Sequence, residues 1–252
     1  MSDGGSRPKS DGRKRRWEQH NTDRRRHIIA AAMTVLARDI APGERLTTAQ
    51  ISAEAGVHRT GLYRHFRDRT DLDTAIQRAI CDQLTAALVT SFELTGTPRD
   101  VVHRTVSTYV RWVAEHPAWT RFVEQDVSAE SPTPLEETNA MLAEQLEVSV
   151  AAFLAIVHAD LSPEDWSLVR PWVAGLVSGC MGAVRSWSGQ TESRTGLDHF
   201  ATFLADTIWL QVKGLGASRG IAIPQVPLET VPLETVPLDI VREGQPNDGS
   251  LR

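Results

Sequence analysis

The sequence predicts an all-α fold, in which a small N-terminal unit of three helices precedes a larger helical domain. Three observations on the 252-residue chain predict it. Apolar residues recur with the period of a helix from about residue 22 to residue 214, and no segment alternates convincingly as a strand would. The stretch from Leu46 to Leu72, LTTAQISAEAGVHRTGLYRHFRDRTDL, reads as a short helix, a glycine turn and a second short helix, the pattern of a helix-turn-helix. The charge is divided: residues 1–80 carry 16 Lys and Arg against 10 Asp and Glu, residues 81–252 carry 11 against 22, and the whole chain stands at −5. A positive head attracts phosphates and an acidic remainder is repelled by them, so the two ends suit different partners.

Residues 1–21 are nearly without apolar side chains and read as a flexible basic arm. Its cluster Arg13, Lys14, Arg15 and Arg16 fits either a solvated tail or an arm trailing into a minor groove. The first helix is expected to start near Thr22 or Asp23 and to bury Ile29, Met33, Leu36 and Ile40, with Ala41-Pro42-Gly43 ending it.

The second helix opens at Thr47, which forms a capping box with Gln50 three positions on. Ile51 and Ala55 point inward, Gly56 accepts the left-handed conformation that lets the chain leave the helix, and Val57 plugs the corner. From His58 to His65 the next helix buries little. Leu62 and Phe66 share one face, and the rest is His58, Arg59, Thr60, Gly61, Tyr63, Arg64 and His65. A helix so poor in core contacts faces a partner. Short side chains near its start permit close approach to base edges in a major groove, and arginine supplies donors that read guanine. Thr47 and Thr48, at the start of the preceding helix, belong to the same DNA-facing set.

The run AGVHRTGLYRHFRDRTDL resembles the DNA-binding segment of TetR-family transcriptional regulators, on Ala55, Gly56, Val57, Tyr63, His65, Phe66 and Arg69. The resemblance implies that Tyr63 and His65 hold phosphates, that His58 to Gly61 lie along the groove, and that Arg69 grips the DNA backbone. Arg69 stands where lysine is usual, which preserves phosphate binding; Gly61 stands where threonine is common, which removes that base contact. The all-helical remainder and its length fit the same family. What it implies as a whole is a homodimeric regulator, a repressor in the commoner mode, which binds a near-palindromic double-stranded DNA operator and is released by a small-molecule effector. A helical adaptor that keeps the fold without binding DNA is the alternative, and such a chain need not keep Arg59, Tyr63, Arg64 and Arg69 on one surface.

A fourth helix starts between Asp68 and Asp71, whose acids suit an N-terminus, and runs through Leu72, Ile76, Ile80, Leu84 and Leu88 to about Phe92. It links residues 22–69, the DNA-binding unit, to residues 70–214, the effector-binding and dimerisation domain. Beyond Gly96-Thr97-Pro98 a helix runs from Arg99 to about His116, Pro117 forces a bend, and Ser131 to Pro134 makes another break before a long helix through Leu142, Leu146, Val150, Phe153 and Val157. The helix from Pro163 to about Trp187 holds Gly175, Gly179 and Ala183 at successive i+4 positions beside Trp172 and Leu176. The last, from about Gly196 to Lys213, places Leu197, Ala201, Leu204 and Ile208 at near-heptad spacing. These two rows pack either against a second copy as a four-helix bundle or against the protomer's own core. Residues 215–252 form a tail whose repeat VPLET-VPLET-VPLDI, at 226–240, excludes helix; it reads as disordered, either inert or a docking segment.

Six of the seven tryptophans lie beyond residue 81. On the family's pattern of a small-molecule cavity among the middle helices, Tyr109, Trp112, His116, Trp119, Phe122, Met141 and Trp172 are its expected lining, suited to an apolar or aromatic effector or, with Glu124 or Asp126 nearby, a lipophilic cation. Aromatic core packing is the alternative for each of them. Nothing points to an enzyme: the chain has no glycine-rich phosphate loop, no GxSxG and no HExxH. Cys81 and Cys180 are alone and far apart, so neither a metal, a cofactor nor a disulfide framework is expected. With no uninterrupted apolar run near ~18 residues and no apolar signal region, the chain is expected to be cytoplasmic, without a membrane partner.

Overall fold

The structure is a computed structural model and describes residues 9–40, 44–125, 132–190 and 195–231. Among them the chain forms nine α-helices and two 3-10 turns, and no strand. Each start has a local cause. Helix α2 (Thr48–Glu54) has the full capping box: the Thr47 hydroxyl accepts from the Gln50 amide at 3.3 Å, and the Gln50 side chain accepts from the Thr47 amide at 2.9 Å. Gly56 then turns the chain at φ +60°, the left-handed conformation expected of it. Helix α3 (Arg59–Leu62) is a single turn, shorter than the 58–65 segment expected, and the residues after it continue as turns. Helix α4 (Arg69–Val89) is capped by Asp68, which accepts from the Asp71 amide at 2.8 Å, and a 3-10 turn, Thr90–Phe92, extends it.

Helices α5 (Pro98–Glu115), α6 (Pro117–Val123), α7 (Pro134–Ile156) and α8 (Pro163–Ser188) all open on proline in the first turn, where the missing N–H costs no helical bond. Helix α9 (Leu197–Ser218) runs five residues past Lys213. The sequence reading placed the start of the first helix wrongly. Helix α1 spans Lys9–Asp39, so the expected arm is helical from Lys9 on. Lys, Arg, Glu and Gln are strong helix formers, and a run without apolar side chains reads as a solvated tail whether or not its backbone is helical. The side chains of Arg13, Lys14, Arg15 and Arg16 lie outside the described residues, as do Ala41-Pro42-Gly43, Asp126 and the last two repeat blocks apart from Val231.

One apolar core runs from Ile28, Val35 and Leu36 of α1 through Ile51, Leu62 and Phe66 to Ile76 and Ile80 of α4, and on to Val110, Val184 and Ala205. Within it α5 packs along α9, α7 along α8, and α4 against α7, so α4 belongs to the N-terminal head at one end and to the helical bundle at the other. Helices α7 and α8 have the length and hydropathy of membrane spans, because their Ala, Gly, Val and Leu content is high without any unbroken apolar run. They pack on one another through Ala143, Val169 and Val173 and leave much of their remaining surface uncovered.

Candidate nucleic-acid interface and effector cavity

The recognition segment, residues 58–66, is anchored by two side chains and braced by several more. Leu62 is fully buried and Phe66 1 % exposed, and with only these anchors α3 leaves His58, Arg59, Thr60, Tyr63 and Arg64 on the surface, with Gly61 and Thr48 partly covered and Thr47 exposed. At Gly61 an added Cβ would meet only Val57 Cβ, 4.0 Å away, so internal packing does not demand the glycine. The face is open to an outside partner.

The brace comes from α1. Arg25 donates to the His65 carbonyl, stands 4.2 Å over the Phe66 ring, and approaches Asp71 at 3.5 Å. His27 Nε2 reaches the Ala55 carbonyl at 3.1 Å, and Arg38 pairs with Glu54 at 2.8 Å. His65 Nδ1 lies 2.6 Å from Asn21 Oδ1, so Nδ1–H donates there and Nε2 is left for another partner. Burial, followed by the charges of Arg24, Arg25, His20 and Arg64, holds the His65 pKa below its ordinary 6.5. The imidazole is therefore neutral at neutral pH in a strongly positive neighbourhood. Asn21, Arg24 and Arg25 were not among the site residues read from the sequence; the signal available was the basic run at 24–26 with Asn21 one helical turn before Arg25.

Arg69 is committed inside the protein to a degree the sequence did not reveal. Its Nε donates to Asp73 at 2.7 Å and one terminal nitrogen donates to the Leu46 carbonyl at 2.8 Å, which ties the start of α4 to the residue before α2. Asp73 is 7 % exposed, and burial pushes its pKa up in spite of Arg69. Guanidinium has five N–H donors, so those left over can still meet a phosphate.

An apolar cavity of ≈ 230 Å³, partly open to solvent, lies among Leu88 of α4, the 3-10 turn's Phe92, and facing residues of α5, α7, α8 and α9. Of the expected lining, Tyr109 and Trp172 are on its wall. The rest are elsewhere. Trp112, His116 and Trp119 form a stack, with ring centroids 4.9 Å and 4.4 Å apart, which fills the α5–α6 corner. Trp119 N–H donates to the Met33 carbonyl at 2.9 Å, which joins α6 to α1; Phe122 is buried in the core, and Met141 is 45 % exposed. The wall is instead aliphatic, with Val102, Val106, Leu146, Val150, Leu176 and Val177 prominent, and Trp209 the tryptophan not anticipated there. Cys180 is also on it, its thiol pushed up to about 12 by burial and hence neutral, as is the Tyr109 phenol, which burial raises.

Between cavity and head lies a polar clamp. Gln77 of α4 is 2 % exposed and donates to the carbonyls of Phe122 at 3.0 Å and Gln125 at 2.9 Å, at the C-terminal end of α6. Arg185 of α8 pairs with Glu124 at 2.7 Å, and Tyr109 and Met181 line both the apolar cavity and a smaller one of ≈ 30 Å³ beside that bridge. Hydrogen bonds thus link α8 to the residue after α6, and the end of α6 to α4.

The two rows expected at a dimer interface divide. Gly175 and Gly179 of α8 are exposed and a Cβ on either would meet nothing within 4 Å, while Trp172 and Leu176 line the cavity and Ala183 packs on the core. On α9 the row turns inward: Ala201 and Leu204 are 3 % and 7 % exposed, Leu197 packs against the core, and Ile208 lines the cavity, because α5 lies along this face. Phe203 and Leu210, 64 % and 67 % exposed and seven residues apart, form the uncovered face instead.

Residues 28–76 match the family model described as bacterial regulatory proteins, tetR family. Two curated relatives from Mycobacterium tuberculosis, the uncharacterized HTH-type transcriptional regulators MT0489 of strain CDC 1551 and Rv0472c of strain H37Rv, are each 30 % identical over 220 residues, covering 84 % of this chain and 87 % of theirs. A solved tetR-family transcriptional regulator from Streptomyces coelicolor superposes with TM-score 0.57 at 18 % identity, over 78 % of this chain and 83 % of that one. RolR, solved in complex with resorcinol, superposes with TM-score 0.55 at 16 % identity, over 83 % of this chain and 99 % of that one.

Proposed function

This chain belongs to the tetR family of bacterial regulatory proteins and is a DNA-binding transcriptional regulator rather than an enzyme; from that premise we propose that it is a cytoplasmic homodimeric repressor, released from its operator by a small apolar or aromatic effector. The observation that carries the effector half is the apolar cavity, whose wall includes Leu88 of α4, the helix that begins at the DNA-binding head. A volume of ≈ 230 Å³ favours a single-ring or short aliphatic molecule without charge, since no ionised side chain lines the wall. RolR, which shares the fold, accommodates resorcinol, a ligand of that class.

The dimer reading is supported by the uncovered face of α8 and α9, where Gly175, Gly179, Phe203 and Leu210 would meet their symmetry mates. Small residues on α8 let two helices approach, and the two apolar anchors on α9 need cover from water. Two such protomers would carry their α3 helices to successive major grooves, roughly 34 Å apart, and so require a near-palindromic site. Tyr63, Arg64, His65 and Arg69 would hold phosphates, while His58, Arg59, Thr60 and Gly61 would lie along the groove with Thr47 and Thr48 at its edge.

Sedimentation of the protein with an operator duplex tests this. Two chains per duplex are expected, and Phe203→Glu with Leu210→Glu should give monomers that lose operator binding by at least about a hundredfold, the two-signal gain that dimerisation supplies. A single wild-type chain saturating one half-site would sink the dimer.

A further inference from the structure

The first copy of the pentapeptide repeat, 226–230, is seated in the structure. Leu228 is 3 % exposed and lines the apolar cavity. Its amide donates to the Gly96 carbonyl at 2.9 Å, and the Gly96 amide donates in return to Glu229 Oε2 at 3.0 Å. Pro227, at φ −56° and ψ 135°, presents a carbonyl that accepts both the Thr230 amide at 2.9 Å and the Thr230 hydroxyl at 2.6 Å. Proline, leucine, glutamate and threonine each have a task in this seat. Val226, 51 % exposed, has none.

The next five residues, 231–235, repeat Val-Pro-Leu-Glu-Thr letter for letter, whereas 236–240 read Val-Pro-Leu-Asp-Ile. We propose that the corner at Gly96 is a recognition site for Pro-Leu-Glu-Thr and that its second occupant is the copy at 231–235, which exchanges with the first by a slip of five residues. Identical side chains offer identical contacts, so the two seatings differ only in the tether from α9. Lengthening that loop by five residues changes occupancy by only about twofold, because closure entropy grows with the logarithm of length. The third block is excluded: aspartate falls a methylene short of the Gly96 amide, and isoleucine has no hydroxyl to close the turn. The slip adds at most roughly 17 Å of slack between α9 and the seat. In the seating seen here Ile223 and Leu228 both line the cavity; in the other, Leu233 takes the place of Leu228.

Hydrogen–deuterium exchange of residues 94–97 in the full-length chain tests the exchange of copies, with a readout that involves neither DNA nor effector. Leu228→Ser and Leu233→Ser singly should each leave the Gly96 segment protected to within about twofold, since the intact copy takes the seat. The double variant should exchange about tenfold faster or more, as an exposed loop does. Loss of protection in Leu228→Ser alone equal to that in the double variant would overturn the second occupant; unchanged protection in the double variant would overturn the seat itself. Should the double variant lose helix content, the pair Glu229→Ala and Glu234→Ala, which leaves the leucines in place, is read in the same way.

Discussion

Arg59 and Arg64 sit five residues apart on the exposed side of the head, and under the proposed function they do different work. Arg59 opens the single turn of α3, where a side chain can reach base edges, while Arg64 follows that turn beside Tyr63 and His65. Arg59→Ala is expected to cost about 1 to 3 kcal/mol on the cognate operator and little on scrambled duplex; Arg64→Ala should weaken both alike and lower the salt slope by about one ion. Anisotropy titrations over a range of salt distinguish them, and equal loss of specificity in both variants would contradict the assignment. Arg69 is a poor residue for such a comparison, since its removal would strip Asp73 and the Leu46 carbonyl of their partner and unsettle the head itself. His65 adds a pH dependence. A phosphate beside Nε2 favours the imidazolium that burial and the surrounding arginines disfavour, so binding takes up a proton and operator affinity should rise as pH falls from 8 towards 6. Stability has the opposite sign: with the folded pKa below 6.5 the unfolded chain protonates first, so the contribution is complete above pH 6.5 and declines as pH falls through that value. Binding curves at several pH values for the protein and for His65→Gln check this; a slope that survives the substitution would assign the proton elsewhere.

Among the elements, those whose ends are fixed locally were legible in the sequence. The capping box at Thr47, the left-handed Gly56 and the prolines opening α6 and α8 are local features within three or four residues, and the sequence contains all their parts. What depends on several elements converging was not. Aromatic residues advertise a large hole wherever they occur, so Trp112, His116 and Trp119 read as a ligand site, although they stack with one another at the α5–α6 corner; the actual cavity is walled mainly by valines and leucines that any helix core contains. The heptad row of α9 was likewise ambiguous, because Ala201 and Leu204 fit α5 as well as they would fit a second copy. Gln77 drew no notice as a lone polar residue in an apolar stripe, yet it ties α4 to the last carbonyls of α6. Gln77→Leu takes the side-chain donor from the Gln125 carbonyl, while the Phe122 carbonyl keeps the Gln125 amide at 3.3 Å, and should lower stability by about 1 to 3 kcal/mol. If α6 passes its position to α4 through this clamp, the variant should also bind operator nearly as the wild type does while losing most of the effector's influence on that binding. Denaturant melts and effector titrations of the operator complex report the two effects; an undiminished effector response would remove Gln77 from the path.

At the scale of the whole molecule, a basic head and an acidic body share one continuous core, and α4 joins them: Leu72 and Ile76 pack the head, Leu88 walls the cavity. In the proposed dimer, a rod common to both sites would convert a small shift beside the cavity into a change in the spacing of two heads, and groove spacing tolerates little error. Such coupling is reciprocal and on the order of 1 to 3 kcal/mol, so whatever factor the effector takes from operator affinity, the operator takes from effector affinity. The most direct test is therefore the affinity of one small neutral aromatic whose own emission lies outside the tryptophan band, such as phenol, measured through the change in tryptophan fluorescence that Trp172 and Trp209 on the cavity wall would give, with the protein free and with the protein saturated by operator. The account predicts that the ligand binds the operator-bound dimer roughly five-fold to a hundred-fold more weakly than the free dimer. Equal affinities, with the fluorescence change intact, would mean that the cavity binds its ligand without governing the DNA.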